Sequence, residues 1–108
     1  MIYYQCPYLS NIVESSDERR KHIQKNHPDL FPKYEDRIQA ILSNPDQIRV
    51  SERSKNAYLF SKWFDNIQGG KYIVVVVVSD AWPVNRHWIV TSYMTRRLSG
   101  GETEWKKK

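Results

Sequence analysis

Apolar positions along the chain change period part-way, from helical spacing before residue 45 to strand-like alternation after it. Ser15-Ser16-Asp17-Glu18 sets a Ser three residues before a Glu, the arrangement of a capping box, and predicts a helix over residues 16–26. Pro28 ends it, because the residue before a proline disfavours the α region. Ile23 is the only large apolar residue in that stretch, so the helix buries a narrow stripe at most. Tyr34, Ile38, Ile41 and Leu42 recur at helical spacing and predict a second helix over residues 33–42, closed by the Asn44-Pro45-Asp46 turn.

Strand patterns then follow over residues 47–52, 57–64, 72–79 and 86–95, joined by the Gln68-Gly69-Gly70 turn and a loop over residues 80–85 that contains Pro83. Short connections between neighbours make these an antiparallel meander. The third strand holds five successive valines. Being apolar on both faces, it should be central and covered on both sides. Ser99-Gly100-Gly101 breaks the chain, and residues 102–105 read as a short edge segment with Trp105 covering the sheet. The expected fold is α+β, with N-terminal helices packed on a four-stranded antiparallel β-meander. Tyr3, Tyr4, Tyr8 and Ile12 in the first 13 residues either add a strand or pack under the sheet.

Composition narrows the class. A chain of 108 residues has room for one domain, and 40% hydrophobic with 27% charged residues describes a folded chain rather than a disordered one. The longest apolar run, residues 72–78, is strand length, so no membrane span is expected. No basic stretch followed by an apolar one opens the sequence, and the single cysteine, Cys6, allows no internal disulfide. The expected location is cytoplasmic. Of the net charge of +5, Lys106, Lys107 and Lys108 supply three. Residues 1–45 hold six basic and six acidic side chains, whereas residues 46–108 hold eleven and six. That asymmetry points to an anionic partner.

Several residues could carry chemistry. His22 and His27 lie five apart, about 140° around a helix, so they do not share a face and lack the spacing of a zinc-protease helix. No cysteine pair exists, and no metal site or cofactor is expected. His27, before Pro28, reads as a helix C-cap; His22 reads either as a solvent-facing residue or as a functional one. Thr91 and Tyr93 share a strand face, where two hydroxyls can hold a phosphate oxygen or be ordinary β-formers. Arg49, Ser51 and Arg53 alternate onto one face. Lys62 interrupts the aromatic run Leu59, Phe60, Trp63, Phe64. These cations either guard an edge or point into a cleft. Arg96 and Arg97 follow the last strand as a basic turn.

The order of motifs carries a resemblance: Arg-Arg-Lys-His-Ile (19–23), Asn-His-Pro-Asp-Leu (26–30), Asn-Pro-Asp-Gln-Ile-Arg-Val-Ser (44–51), Leu-Phe-Ser-Lys-Trp (59–63), the valine strand, Trp-Ile-Val-Thr-Ser-Tyr-Met-Thr (88–95) and Gly-Glu-x-Glu-Trp (101–105). From about Cys6 to Trp105 the chain resembles a bacterial and phage family of small nuclease-like domains, in the barnase, EndoU, colicin and RelE-like (BECR) group of metal-independent ribonucleases. The resemblance implies an active site on the sheet, with His22, Lys62, Thr91 and Tyr93 as catalytic residues and Arg49, Ser51 and Arg53 binding substrate. Thr91-Ser92-Tyr93 is similar to the Ser/Thr-x-Tyr step of EndoU nucleases. The pattern departs from a two-histidine site unless His27 or His87 supplies the second, and no glutamate stands clearly as a barnase-type base.

The implied activity is a metal-independent endoribonuclease, with His22 as base, Lys62 and Arg49 stabilising the phosphate charge, and no cofactor. Such a toxin would have an antitoxin or inhibitor protein covering its basic face. Two other readings compete: a binding module that holds RNA or protein without cutting, and an interaction protein whose candidate exposed tryptophans, Trp63, Trp82, Trp88 and Trp105, mark an interface.

Overall fold

The computed structural model describes residues 1–80 and 85–108. Chain entry is a β-hairpin. Strands β1 (Ile2–Cys6) and β2 (Asn11–Ser15) pair antiparallel around a 3-10 turn at Pro7–Leu9. Alternate residues Tyr4, Cys6, Val13 and Ser15 are buried, the period-2 pattern of a half-covered ribbon. Helix α1 (Asp17–Asn26) follows, with Ser16 as its N-cap: the Ser16 hydroxyl accepts the Arg19 backbone N–H at 3.2 Å. The expected box is displaced by one residue, because Ser15 is the buried last residue of β2. The second helix is shorter than its apolar spacing predicts. A 3-10 turn at Glu35–Arg37 leads into α2 (Ile38–Ser43), whose Ile38, Ile41 and Leu42 are fully buried. Strands β3 (Gln47–Val50), β4 (Ala57–Phe64), β5 (Lys71–Asp80), β6 (Arg86–Thr95) and β7 (Glu102–Lys106) complete the chain.

All seven strands join one sheet in the order β1-β2-β6-β5-β4-β3-β7. This corrects the expected architecture. The antiparallel run β3-β4-β5-β6 exists, but it is the middle of a larger mixed sheet. The chain begins with strands rather than helices, and β2 pairs parallel with β6 through Glu14 and Trp88. The valine strand β5 is central, yet its two faces differ. Ile73, Val75 and Val77 join Ile23, Leu30, Phe31, Ile38, Ile41, Leu42, Ile48 and Phe60 in the core, so both helices pack into this face. On the opposite face Val74 is buried but Tyr72, Val76 and Val78 are only half-buried, so the expected cover on both sides is met in part.

The outer edge of β1 is covered. The Gln39 side-chain amide of α2 donates to the Gln5 carbonyl at 2.9 Å and accepts the Gln5 N–H at 3.0 Å, taking the hydrogen bonds a further strand would seek on β1. From the turn between β1 and β2, Tyr8 reaches across to β7, its hydroxyl donating to Glu104 Oε2 at 2.6 Å while its ring packs edge-on against Phe60. Burial and the Glu104 carboxylate push the Tyr8 phenol up to about 12.

A bulge in β6 sets the rest. Val77 pairs with Ile89 but Val76 pairs with Thr91, leaving Val90 as an extra residue. One inserted residue exchanges the faces that follow it. Strict alternation would put Thr91, Tyr93 and Thr95 with His87 and Ile89. Instead His87, Ile89 and Ser92 face the core, and Thr91, Tyr93 and Thr95 share the opposite face with Trp88.

Candidate functional site

Register across the sheet gives the open face its rows. Arg49, Leu59, Val76 and Thr91 form one; Gln47, Ser61, Val74 and Tyr93 form the next; Trp63, Tyr72 and Thr95 the one after. In the middle row Ser61 and Val74 are small and buried, at 1% exposure each. The two residues are thus closed off from solvent although neither belongs to the helix-covered core. Tyr93 and Arg49 are close enough for the guanidinium charge to favour the phenolate, opposing the burial that raises the Tyr93 pKa. Burial is the larger effect, so the phenol keeps its proton and can donate a hydrogen bond.

Arg49 is held rather than free. Its Nε donates to Gln47 Oε1 at 2.9 Å and its Nη1 to the Gly100 carbonyl at 2.8 Å. Gly100 belongs to the connection between β6 and β7, which run the same way with three strands between them. Six residues, 96–101, cross four strand spacings, roughly 19 Å. Two open-face side chains hold this connection: Thr95 Oγ1 donates to the Arg97 carbonyl and Arg49 to that of Gly100. At its far end a Cβ on Gly101 would stand 2.5 Å from the Val50 carbonyl oxygen, so only glycine admits this approach.

The predicted site residues separate into those this face gathers and those it does not. Arg49, Thr91 and Tyr93 are on it. Ser51, just past β3, opposes Ala57, and its hydroxyl accepts the Arg53 backbone N–H at 3.3 Å, closing the turn that leaves Arg53 exposed. Lys62 lies on the other face, in register with buried Ile73. Its Nζ donates to the Asn44 carbonyl at 2.9 Å and stands 3.8 Å from Asp46 Oδ1, so it neutralises the C-terminal end of α2. His22 is exposed on α1, its ring against the Asn26 side-chain amide at 3.3 Å.

The histidine whose ring stands beside β6 is His27, at the end of the same helix. His27 is the C-cap of α1, its N–H on the Ile23 carbonyl at 2.7 Å, and its carbonyl accepts from Leu30 and Phe31. The ring is half-buried with its centroid 6.4 Å from that of Tyr93. The signal was its place before Pro28, which fixes where α1 stops and so where this ring stands. Trp63 and Trp105 are exposed, Trp88 is half-buried, and Trp82 lies outside the described residues, as does Pro83. Among the described residues no three His, Cys, Asp or Glu side chains are grouped as metal ligands would be, and no helix is long and apolar enough to cross a membrane.

His87 has a different character. It is buried against Ser79, Nδ1 to Oγ 2.6 Å, and its Nε2 is buried with no hydrogen-bond partner. Burial lowers its pKa. The unfolded chain therefore binds this proton more readily than the folded one, and stability is lost as pH falls through the ordinary histidine value near 6.5. We expect the wild-type melting temperature to decline between pH 7 and pH 5, and the His87→Leu variant to have a flatter profile over that interval. An unchanged slope in the variant would assign the decline to other groups.

Searches against protein-family models, curated proteins and solved structures return no significant match to this chain.

Proposed function

We propose that this chain is a metal-independent endoribonuclease whose site is the open face of the sheet. The observation that carries the reading is the convergence of Arg49, Thr91 and Tyr93 on that face with the His27 ring against Tyr93. In this scheme the ribose 2′-hydroxyl attacks the adjacent phosphorus, the bond to the 5′-oxygen breaks, and the products are a 2′,3′-cyclic phosphate and a 5′-hydroxyl. One proton leaves the 2′-oxygen and one reaches the 5′-oxygen; His27 is the imidazole placed at the site to take the first and give up the second. Arg49 supplies positive charge to the crowded phosphate, and Thr91 and protonated Tyr93 donate hydrogen bonds to its oxygens. Lys62 and His22 have no part in this scheme.

The test is incubation of the purified protein with total bacterial RNA in EDTA. Fragments ending in cyclic phosphate are the expected result. Intact RNA that is nevertheless bound, with affinity falling as salt rises, would favour the non-cutting module; neither cutting nor binding would overturn both. Arg49→Ala should weaken binding of single strands and reduce the salt slope by about one. A slope unchanged in this variant would remove Arg49 from the phosphate contacts.

A further inference from the structure

Resting on that reading, we infer that Trp63 is a fixed stacking platform for a base of the bound single strand. Trp63 ends the open face one row from Tyr93 and two strands away, roughly 12 Å from strand spacing and rise. It is 37% exposed, yet its position is determined from several sides. Its backbone N–H donates to Asp46 Oδ2 at 2.8 Å, and its indole Nε1–H donates to the Asp65 carboxylate. The ring meets Tyr72 edge-on, centroids 5.0 Å apart. It also lies against Gly70, where a Cβ would stand 2.4 Å from the ring and where φ is +110°. Glycine at this point of the turn is required twice over, by conformation and by the close approach of the indole.

Such an arrangement has a chemical consequence. The indole N–H is the only hydrogen-bonding group on a tryptophan side chain, and here it is engaged. What the exposed part of the ring offers a ligand is aromatic surface. Because the ring is already ordered, stacking on it forfeits little side-chain freedom. A nucleobase fits that offer, since every base has a face that stacks on aromatic side chains regardless of its edge. Charge around the ring is mixed: Asp65 and Asp46 hold Trp63 itself, while Lys106, in register with Gln47 in the adjoining row, and Arg49 in the row beyond supply the cations. Glu14, at the far side of the face, is engaged by Arg86 in two hydrogen bonds. A single strand with a phosphate at Arg49 would reach Trp63 with a base further along.

Binding is measured by fluorescence anisotropy with a labelled 2′-O-methyl oligoadenylate, which cannot supply the attacking hydroxyl. Trp63→Leu should weaken binding on the order of ten-fold or more, with the salt slope unchanged, while Trp63→Phe recovers most of the loss. Thermal melting of each variant checks that the hairpin is intact. Wild-type protein that binds, together with a folded Trp63→Leu variant of equal affinity, would overturn the platform and leave the RNA reading standing. Loss of affinity with a reduced salt slope, or a Trp63→Phe variant no better than Trp63→Leu, would equally count against stacking. Wild-type protein that does not bind the oligonucleotide would overturn the RNA reading itself.

Discussion

His27→Ala is expected to slow RNA cleavage by about 10²- to 10⁴-fold, the usual contribution of a positioned general acid or base. The measurement is the initial rate of fragment formation at saturating RNA. The backbone role of His27 as the α1 C-cap survives in the variant, because the hydrogen bonds there use its N–H and carbonyl. A loss of rate with unchanged melting temperature would therefore belong to the imidazole. His22→Ala is the internal comparison: its ring is exposed and meets only the Asn26 amide among the hydrogen bonds described here, so its rate should match wild type. The reverse pattern, with His22 essential and His27 dispensable, would remove the open face as the catalytic surface.

Phe60→Ala should cost about 3–5 kcal/mol of folding stability, the range for deleting a fully buried phenyl ring. Phe60 is 0% exposed and lies in register with Ile48 on one side and Val75 on the other, at the centre of the helix-covered face. Removing it also strips the ring against which Tyr8 packs, and so loosens the contact through which Tyr8 reaches Glu104. Against a typical total of about 5–15 kcal/mol, the loss leaves a small margin. Urea denaturation would read it as a lower midpoint with a similar slope. Leu59→Ala, one residue away but half-buried on the open face, should cost distinctly less. Equal costs would mean that the two faces are not packed differently.

The central strands were legible because their apolar runs are long and their turns are marked: five valines flanked by Gln68-Gly69-Gly70 leave little freedom of assignment. The N-terminal hairpin was harder to see. Its strands are five residues each, and tyrosines occupy both the buried position at Tyr4 and the exposed one at Tyr3, so alternation is blurred. The second helix lost its first turn to 3-10 geometry, a change of hydrogen bonding that apolar spacing does not report. The partners of Lys62 were not legible, because a lysine in an aromatic strand says nothing of what its ammonium meets. Here it meets the end of a helix that arrives from elsewhere in the chain. The pairing of His27 with Tyr93 required knowing that α1 ends beside β6, a tertiary fact. Thr91 and Tyr93 were set on one face by alternation, which holds between them, but the same argument set them with His87 and Ile89 because it missed Val90.

That extra residue changes which positions of β6 answer to the core. Before Val90, His87 and Ile89 are constrained by volume and by the absence of water, and change there would be judged by whether the chain folds. After it, Ser92 and Met94 take over that duty, while Thr91 and Tyr93 turn to the open face, where the core does not dictate them. A single strand thus alternates guarded and free positions along its whole length, with the parity of the guarded ones reversed half-way.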